Sequence, residues 1–397
     1  MSSPLRVGIV CLHTDPYAPP GSGDVGGMNV VVRHTCDALA RAGHDVEVVT
    51  RWSDPASARE ETIDGVAIRR LAVGPARSLP KGEHEGLMVD FGRALGELEP
   101  RDLLHSHHWF SGMAALPVAR AWGVPHVQSF HSIAAPERTA LSEGERPESP
   151  GRLDGEAYLA QHSDAVLAVS RAEALTALER LGAPPQRLTV VYPGVDPVLF
   201  HPADTRPAGR PSVLIAARLE PLKGVDLAIR ALALIPPAAR PVLRVAGGAT
   251  ADPGFGRSLL ALADELGAAG DVELLGPQSR TALAGLMRAA TLVLVPSHSE
   301  TYGLVALEAA ASGVPVVASA TGGLVEAVRD GETGLLVPGR EPADWAAAIG
   351  RVTGDPALAA HLGAAGRSMA QNRGWDAVGD VVAHAYAAML PSATVVG

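Results

Sequence analysis

The stretch Thr291-Leu-Val-Leu-Val-Pro-Ser-His-Ser-Glu-Thr-Tyr-Gly-Leu-Val-Ala-Leu-Glu308 decides how the rest of the chain folds. Its first six residues form an apolar run, which is typical of a buried parallel strand. A short polar turn follows, and from Gly303 the residues favour a helix that ends at Gly313. The free N–H groups and the dipole of such a helix start favour a bound phosphate or other oxyanion. The residues that would offer these groups are Thr301, Tyr302, Gly303, Leu304 and Val305.

Two carboxylates flank this predicted anion site. Glu300 lies on the turn and Glu308 on the helix, with seven residues between them. Carboxylates repel a phosphate, so we interpret them as hydrogen-bond acceptors for hydroxyl groups on either side of it, as on a sugar and a ribose. The alternative is that both are ordinary surface carboxylates, because a short motif carries a real false-positive risk.

Length and composition set the class of protein. The chain has 397 residues, 47% of them hydrophobic and 4% aromatic, with a net charge of −10. These values predict two to three domains of α/β layers and argue against a nucleic-acid partner. Cys11 and Cys36 are expected to be buried thiols in a reducing compartment. With no apolar run long enough for a membrane span, we expect a cytoplasmic protein that acts on small molecules. The sequence does not decide whether the protein is a monomer or a homodimer.

The N-terminal region predicts a β-α-β unit. A strand at Leu5–Leu12 is followed by a loop and by a helix that starts at Gly27 and ends at Gly43. The letters of Gly21–Gly26 match a dinucleotide fingerprint, but about eight loop residues separate them from the strand, which disfavours that interpretation. We predict instead that a diphosphate approaches the backbone at Gly26 and Gly27, with a flexible surface loop as the alternative.

A second predicted anion site opens the C-terminal half. The strand Val213–Ala217 leads into a turn that carries Arg218 and Lys223, one planar guanidinium and one ammonium. The alternative is two solvated surface charges. The next strand, Val242–Gly248, ends in a glycine pair, and Gly248 would let a nucleotide approach closely.

Histidines cluster at the ends of two predicted strands. Asp102–Trp109 contains three of them, and His105 and His107 share a face by the two-residue period of a strand. A metal site is disfavoured because no third ligand with suitable spacing is evident. A further strand ends at His131, which either lies at a reaction centre or is a satisfied core histidine.

Together these motifs resemble the retaining, nucleotide-sugar-dependent glycosyltransferases of family four, which have the two-lobed GT-B fold. The resemblance rests on Glu-(seven residues)-Glu and on a small residue followed by Arg-(four residues)-Lys-Gly. Gly23-Asp-Val-Gly-Gly-Met-Asn-Val30 is similar to the inositol-phosphate N-acetylglucosaminyltransferases of the mycothiol pathway, over nearly the whole chain. It implies an α/β protein with two Rossmann-like lobes: residues 1–196 bind the acceptor, residues 210–372 bind the nucleotide sugar, and residues 373–397 form a helix that packs back on the first lobe.

The resemblance also implies roles for single residues. Glu300 would hold hydroxyls of the donor sugar and Glu308 the ribose, while Arg218 and Lys223 bind the diphosphate and neutralise the leaving group. Gly27 would contact the donor diphosphate, and His131 would stabilise charge beside the reacting sugar. The residues implied to bind the acceptor are Asn29, Lys81, His108, Ser132 and Arg152.

Three positions depart from the mycothiol-pathway pattern. His108 replaces a tyrosine, Ser132 replaces a threonine, and Arg152-Leu153 replaces a pair of arginines. Loss of a guanidinium removes bidentate recognition of an acceptor phosphate. An unphosphorylated aminocyclitol or a small thiol, glycosylated from another UDP- or GDP-sugar, is therefore a serious alternative to an inositol phosphate.

We expect a hexosyl or N-acetylhexosaminyl group to be transferred with retention, from a donor of the UDP-N-acetylglucosamine type. The sequence has no Asp-x-Asp, so neither a divalent metal nor another cofactor is expected. Three other readings rank lower: a nucleotide-sugar epimerase, a nicotinamide oxidoreductase and a non-catalytic sugar-nucleotide sensor.

Overall fold

The structure is a computed structural model that describes residues 4–18, 26–204, 209–248, 252 and 254–390. Its strands form two separate sheets. The strands of the N-terminal lobe are β1 (Arg6–Cys11), β2 (Asp45–Arg51), β3 (Glu60–Ile63), β4 (Val66–Leu71), β5 (Leu103–His107), β6 (His126–Ser129), β7 (Ala165–Ala168) and β8 (Leu188–Val190). They lie in the order β3-β4-β2-β1-β5-β6-β7-β8, and within this sheet β3 runs antiparallel to β4 while the other pairs are parallel.

Helices cover both faces of this sheet. They are α1 (Gly27–Arg41), α2 (Met88–Gly96), α3 (Trp109–Trp122), α4 (Arg152–His162) and α5 (Arg171–Glu179), with a 3-10 helix at Lys81–Leu87. The parallel strands are buried on both faces, as the continuous apolar runs predict. Cys11 and Cys36 are free, buried thiols in this core, which confirms that part of the expectation.

The C-terminal lobe has a parallel sheet of six strands within the described ranges. These are β9 (Ser212–Ala216), β10 (Val242–Ala246), β11 (Val272–Gly276), β12 (Leu292–Val295), β13 (Val316–Ser319) and β14 (Gly334–Val337), in the order β11-β10-β9-β12-β13-β14. Its helices are α6 (Val225–Leu234), α7 (Phe255–Glu265), α8 (Arg280–Ala289), α9 (Leu304–Ala311), α10 (Leu324–Ala327), α11 (Pro342–Thr353) and α12 (Pro356–Ala370). The predicted strand, turn and helix around Glu300 are β12, the turn after it and α9.

Both sheets have a point at which the strand order reverses direction, and ligands of open α/β sheets bind at such points. In the N-terminal sheet it lies between β1 and β5, whose carboxyl ends lead to His13 and His108. In the C-terminal sheet it lies between β9 and β12, which lead to Arg218 and Ser297. The topology therefore brings the motifs that the sequence singled out to the two places where a ligand is expected.

The last helix, α13 (Trp375–Ala387), returns to the N-terminal lobe and packs along α1. Gly379 lies against Ala38 so closely that an added Cβ would be 2.8 Å from the Ala38 Cβ. The Tyr386 hydroxyl is 2.7 Å from Nδ1 of His105. The chain therefore crosses between the lobes twice, before β9 and again at Gly374, where Val195 and Gly374 form an isolated bridge. Among the described residues, no helix has the length and apolar character that a membrane crossing requires.

Candidate active site

A cavity of about 2060 Å³ lies between the two lobes. Of the site residues predicted from the sequence, all but Arg152 line it. The starts of two helices meet across this cavity: a Cβ added to Gly27, the first residue of α1, would be 3.3 Å from Leu304 Cδ1, at the first residue of α9. Two positive helix ends that face one gap form a strong anion site. The fingerprint letters Gly21–Val25 lie outside the described residues.

The turn before α9 depends on glycines. Gly303 has a φ of 98°, in the left-handed region, and a Cβ there would be 2.6 Å from the Leu324 side chain. Gly322 and Gly323 pass so close to the backbone of Glu300 and Thr301 that a Cβ on either would collide with it. The N–H of Gly323 also donates to the Glu300 carbonyl over 2.9 Å. This close packing fixes the Glu300 backbone beside the helix start.

The turn that carries Arg218 and Lys223 packs against the turn before α9. Gly224 has a φ of 66° and lies against the carbonyl of Pro296, where a Cβ would not fit. Nζ of Lys223 lies 2.8 Å from Oε2 of Glu300, and Arg218 pairs with Glu220 over 3.1 Å. The predicted diphosphate cations and the predicted sugar-binding carboxylate are therefore in one place, which spacing alone did not establish.

Glu308 is 2% exposed and pairs with Arg280 of α8. Burial raises the pKa of Glu308, and Arg280 opposes that shift. A buried carboxylate with one fixed partner is not an ordinary surface group, so the structure disfavours the alternative stated above. The sequence analysis missed Arg280, because its contact with Glu308 crosses from one helix to another and has no spacing signature.

The side chain of Tyr302 packs beside Arg373 and Tyr192, whereas the donor contact predicted for Tyr302 is that of its backbone N–H. Its hydroxyl bonds the guanidinium of Arg373, and its ring lies 6.0 Å from that of Tyr192. The ring is thus part of the packing between the lobes, and Tyr302 is among the residues that line the cavity. Thr301, Leu304, Val305 and Gly248 line the cavity as predicted, and the Gly248 carbonyl accepts from Leu219 over 2.9 Å.

His131 follows β6 in a left-handed conformation, with a φ of 62°. Its Nε2 is 2.8 Å from Nδ1 of His107, which comes from the neighbouring strand β5. Burial lowers the pKa of His131 to about 4, so the ring is neutral at pH 7. The neutral imidazole of His131 is partly buried, is held by a second histidine and lines the cavity, so it combines features of a core histidine with a place at the cleft.

Asn29 fixes the loop ahead of α1. Its Nδ2 donates to Thr14 Oγ1 over 2.9 Å and to the Asp15 carbonyl over 3.1 Å, and its Oδ1 accepts from Gly26 N–H over 3.2 Å. The predicted acceptor contact is therefore joined by a second task, which is to position Gly26 and Gly27 at the helix start.

Three of the predicted acceptor residues surround a carboxylate that the sequence analysis did not single out, Glu145. Oε1 of Glu145 accepts hydrogen bonds from Lys81 Nζ over 3.4 Å, from Ser132 Oγ over 2.8 Å and from Arg152 Nη1 over 2.6 Å. Arg152 itself has no exposed surface and does not line the cavity. The direct acceptor contact predicted for Arg152 is thus wrong for this structure, because three carboxylates enclose its guanidinium.

His108, Glu145 and Glu148 lie close enough together to hold a metal ion. The guanidinium of Arg152, however, already pairs with both carboxylates. A divalent cation would have to displace that guanidinium, so the donor set does not fit a metal, and the expectation of no metal site stays a prediction.

Two family models match the chain in succession. Residues 25–199 match the model described as Glycosyltransferase Family 4, and residues 200–369 match the one described as Glycosyl transferases group 1. A D-inositol 3-phosphate glycosyltransferase of Kineococcus radiotolerans is 40% identical, with 97% of this chain and 95% of the relative covered. The protein of the same name from Mycobacterium avium is 39% identical, with 97% and 94% covered.

Solved structures share the fold. A sucrose-phosphate synthase from Thermosynechococcus elongatus superposes with a TM-score of 0.87 and 30% identity over 97% of this chain and 98% of its own. The Anabaena protein HepE, solved with UDP-glucose, has a TM-score of 0.77 and 21% identity, with 97% and 100% covered. The predicted α/β architecture with two Rossmann-like lobes is confirmed.

Proposed function

Because the chain belongs to glycosyltransferase family 4 and has the GT-B fold, we propose that it transfers a hexosyl or N-acetylhexosaminyl group from a nucleotide diphosphate sugar to a small cyclitol-like acceptor. It is a glycosyltransferase of the inositol-phosphate glycosyltransferase type. The observation that carries the proposed donor is the anion site in the cleft, where the starts of α1 and α9 meet beside Arg218 and Lys223. The resemblance to N-acetylglucosaminyltransferases favours a UDP-N-acetylglucosamine-type donor.

The leaving group is a nucleoside diphosphate, whose charge grows as the bond to the sugar breaks. Groups that are already in place for that charge lower the barrier, since they need no rearrangement during the reaction. Arg218, Lys223 and the N–H groups at the start of α9 supply them. The pair between Lys223 and Glu300 holds the ammonium near the place where a sugar hydroxyl would contact Glu300.

We propose that the configuration at the sugar carbon is retained. Glu300 is engaged with Lys223 and Ser297, so it orients the sugar rather than attacking it. The acceptor then attacks from the face that the diphosphate leaves, and a phosphate oxygen takes the acceptor's proton. His131 is neutral, so its ring offers a hydrogen bond beside the reacting carbon without adding a charge that would compete with the cations.

We propose that turnover needs no divalent metal, because two side-chain cations and two helix starts already face the diphosphate. Addition of EDTA should leave the rate unchanged, within twofold, in an assay of the full chain. A loss of activity that Mg²⁺ or Mn²⁺ restores would contradict this.

The test of the function begins with the donor. A thermal-shift screen of UDP- and GDP-sugars identifies the nucleotide, and mass spectrometry then identifies products formed with D-inositol 3-phosphate, myo-inositol, an aminocyclitol and a small thiol. Replacing Arg218 and Lys223 by Ala should lower kcat by about a hundredfold or more. The matched control is Arg244→Ala, which removes a cation of β10 that pairs with Glu273 on the surface.

Two further outcomes separate the rivals. Conversion of the donor sugar without any acceptor would identify an epimerase. Binding without turnover for every acceptor would identify a sensor. NMR coupling constants of the product give the anomeric configuration, and an inverted product would contradict retention.

A further inference from the structure

Glu173 is a buried carboxyl that the steps proposed above do not use. It lies in the first turn of α5, lines the cavity and is 4% exposed. Its Oε2 accepts from the Val169 N–H over 2.6 Å. Its Oε1 is buried and has no hydrogen-bond partner of good geometry within the described part of the chain. A buried carboxyl with one idle oxygen is costly unless a second donor completes its bonds.

The pairing of two strands brings this carboxyl to His131. β6 and β7 are parallel neighbours, and the Ser129 hydroxyl at the end of β6 donates to the Leu167 carbonyl over 2.8 Å, at an offset of 38 residues. Two residues further along both segments, the same offset sets His131 opposite Val169. Since the Val169 N–H bonds the Glu173 carboxyl, that carboxyl lies where the two strands end.

The ionisation of Glu173 agrees with this placement. Burial raises its pKa to about 7, and the backbone N–H groups of Val169 and His131 oppose that shift. A donor lowers the pKa of a carboxyl by bonding the ionised form. The His131 N–H is thus the donor available to the second oxygen of Glu173.

The backbone of His131 needs such a partner. Its φ of 62° lies in the left-handed region, which a residue with a side chain keeps only where its surroundings hold it there. Nδ1 of His107 holds the ring of His131 over 2.8 Å, but it bonds the side chain and leaves the backbone turn unsupported. A carboxylate that bonds the His131 N–H would hold the turn itself.

We infer that Glu173 is a positioning residue of the transferase: its carboxylate holds the His131 backbone N–H and thereby the left-handed turn that sets the His131 ring in the cleft. This rests on the proposed function, in which that ring lies beside the reacting sugar. Glu173 acts through His131 and does not touch the substrate. A carboxylate has an acceptor oxygen for each of the two N–H groups, whereas an amide of the same size has one oxygen and turns its NH₂ toward the other N–H. Volume alone therefore cannot replace Glu173.

The first experiment measures the kinetics of the full chain. Glu173→Gln and Glu173→Ala should both lower kcat by about tenfold, and both should leave the KM of the donor and the affinity for UDP unchanged, because only His131 is displaced. Ser170→Ala is the matched control: it removes the cap of the same helix, where Ser170 Oγ accepts from the Glu173 N–H over 3.0 Å, and keeps the carboxyl. Glu179→Gln makes the same charge change at the exposed end of α5. Both controls should keep the wild-type kcat.

A second readout does not depend on turnover. In NMR spectra of the full chain labelled with ¹⁵N-histidine, the His131 signals are assigned by their absence from His131→Ala. Both Glu173 variants should move the His131 amide proton upfield, because its bond to a carboxylate is lost, and should shift the ring nitrogens of His131 as well. Ser170→Ala and Glu179→Gln should leave these signals at their wild-type positions.

The two readouts separate this inference from the proposed function. If the wild type transfers no sugar to any acceptor, the proposed function fails, and the His131 signals still decide the role of Glu173. If Glu173→Ala does not fold, Glu173→Gln decides, since it keeps the volume of the side chain. A folded Glu173→Gln protein with the wild-type kcat, or with unmoved His131 signals, overturns the inference.

Discussion

At the scale of single residues, the pair between Glu308 and Arg280 links α9 to α8 beside the proposed donor site. Arg280 also lies over the Phe200 ring, 4.8 Å from its centre. The guanidinium therefore has a fixed position from which it holds the Glu308 carboxylate, and that carboxylate is available to a hydroxyl only on its remaining side.

Replacing Glu308 with Gln should weaken UDP binding by about tenfold or more, because hydrogen bonds to charged groups contribute about 1.5–3 kcal/mol. Calorimetry with UDP measures this. Glu332→Gln is the matched control, since Glu332 pairs with Arg329 over 3.1 Å on an exposed surface where such pairs contribute little. An unchanged UDP affinity in Glu308→Gln would rule out its ribose role.

His131 and His107 should be separable by kinetics. We expect His131→Ala to lower kcat by about a hundredfold with little change in UDP affinity. His107→Ala should lower kcat by about tenfold, because it removes only the group that orients His131. His107→Asn, which keeps a polar atom near the position of Nδ1, should recover most of that loss. The exposed His361→Ala is the control; equal losses for Ala and Asn at position 107 would contradict a positioning role.

At this scale the sequence was informative where a motif is local. The sequence placed Glu300 on a turn, Glu308 on the helix after it, and Arg218 and Lys223 on a second strand-to-helix turn, and all four line the cavity. It missed Glu145, because no motif marks a lone glutamate in a loop, and it gave Arg152 a contact that its burial forbids. Which side chains share a cluster depends on contacts between segments distant in sequence.

At the scale of elements, a residue of one lobe caps a helix of the other. The Glu326 carboxylate on α10 accepts from the N–H groups of Arg171 and Ala172 at the start of α5, each over 3.0 Å, and from the Tyr192 hydroxyl over 2.9 Å. Carboxylates stabilise helix starts through these free donors and through the dipole. The contact therefore holds the lobes close together on one side of the cleft.

Glu326→Ala should lower the free energy of unfolding by about 1–2 kcal/mol, the usual effect of a lost cap. It should also increase the radius of gyration of the free enzyme in small-angle X-ray scattering, because the lobes separate. Ser170→Ala is the matched control: Ser170 caps the same helix within its own lobe, accepting from Glu173 N–H over 3.0 Å. This variant should lose stability at an unchanged radius. A Glu326→Ala protein with wild-type dimensions would contradict the link.

The type of most elements was predictable and their ends were less so. The first strand is one residue shorter at each end than predicted, and the strand before His131 ends at Ser129. The positive φ values of His108 and His131 could not be predicted from propensity, because non-glycine residues rarely adopt them. They lie after two neighbouring strands at the cavity, where backbone strain is often found.

At the scale of the whole molecule, the N-terminal lobe contains many buried or partly buried histidines that are neutral at pH 7. Burial lowers the pKa of His34 and His131 to about 4 and that of His126 to about 3. Four more have pKa values well below the usual range for the same main reason: His13, His105, His107 and His108.

Stability should therefore fall as the pH drops from about 6.5 toward 4. In this window the unfolded chain, whose histidines titrate near 6.5, binds more protons than the folded one, at about 1.4 kcal/mol per pH unit for each such histidine. Four carboxyls whose pKa values burial raises, Asp37, Glu156, Glu173 and Glu308, act in the opposite direction but are fewer. Thermal melting between pH 4.5 and 8 measures this, and a midpoint that does not change below pH 6 would contradict it.

The sequence by itself determined the architecture and the two turns whose residues line one side of the cavity. Apolar runs separated by turns and helix formers specify parallel strands buried on both faces, and the donor motifs are local because a strand, its turn and the next helix place their own residues. Only the tertiary structure decided which side chains gather around Glu145. The hydrogen bonds of Glu145 join a 3-10 helix, the segment after β6, a loop and α4, and they exist only after these four segments pack together, since an ion's behaviour depends on what surrounds it.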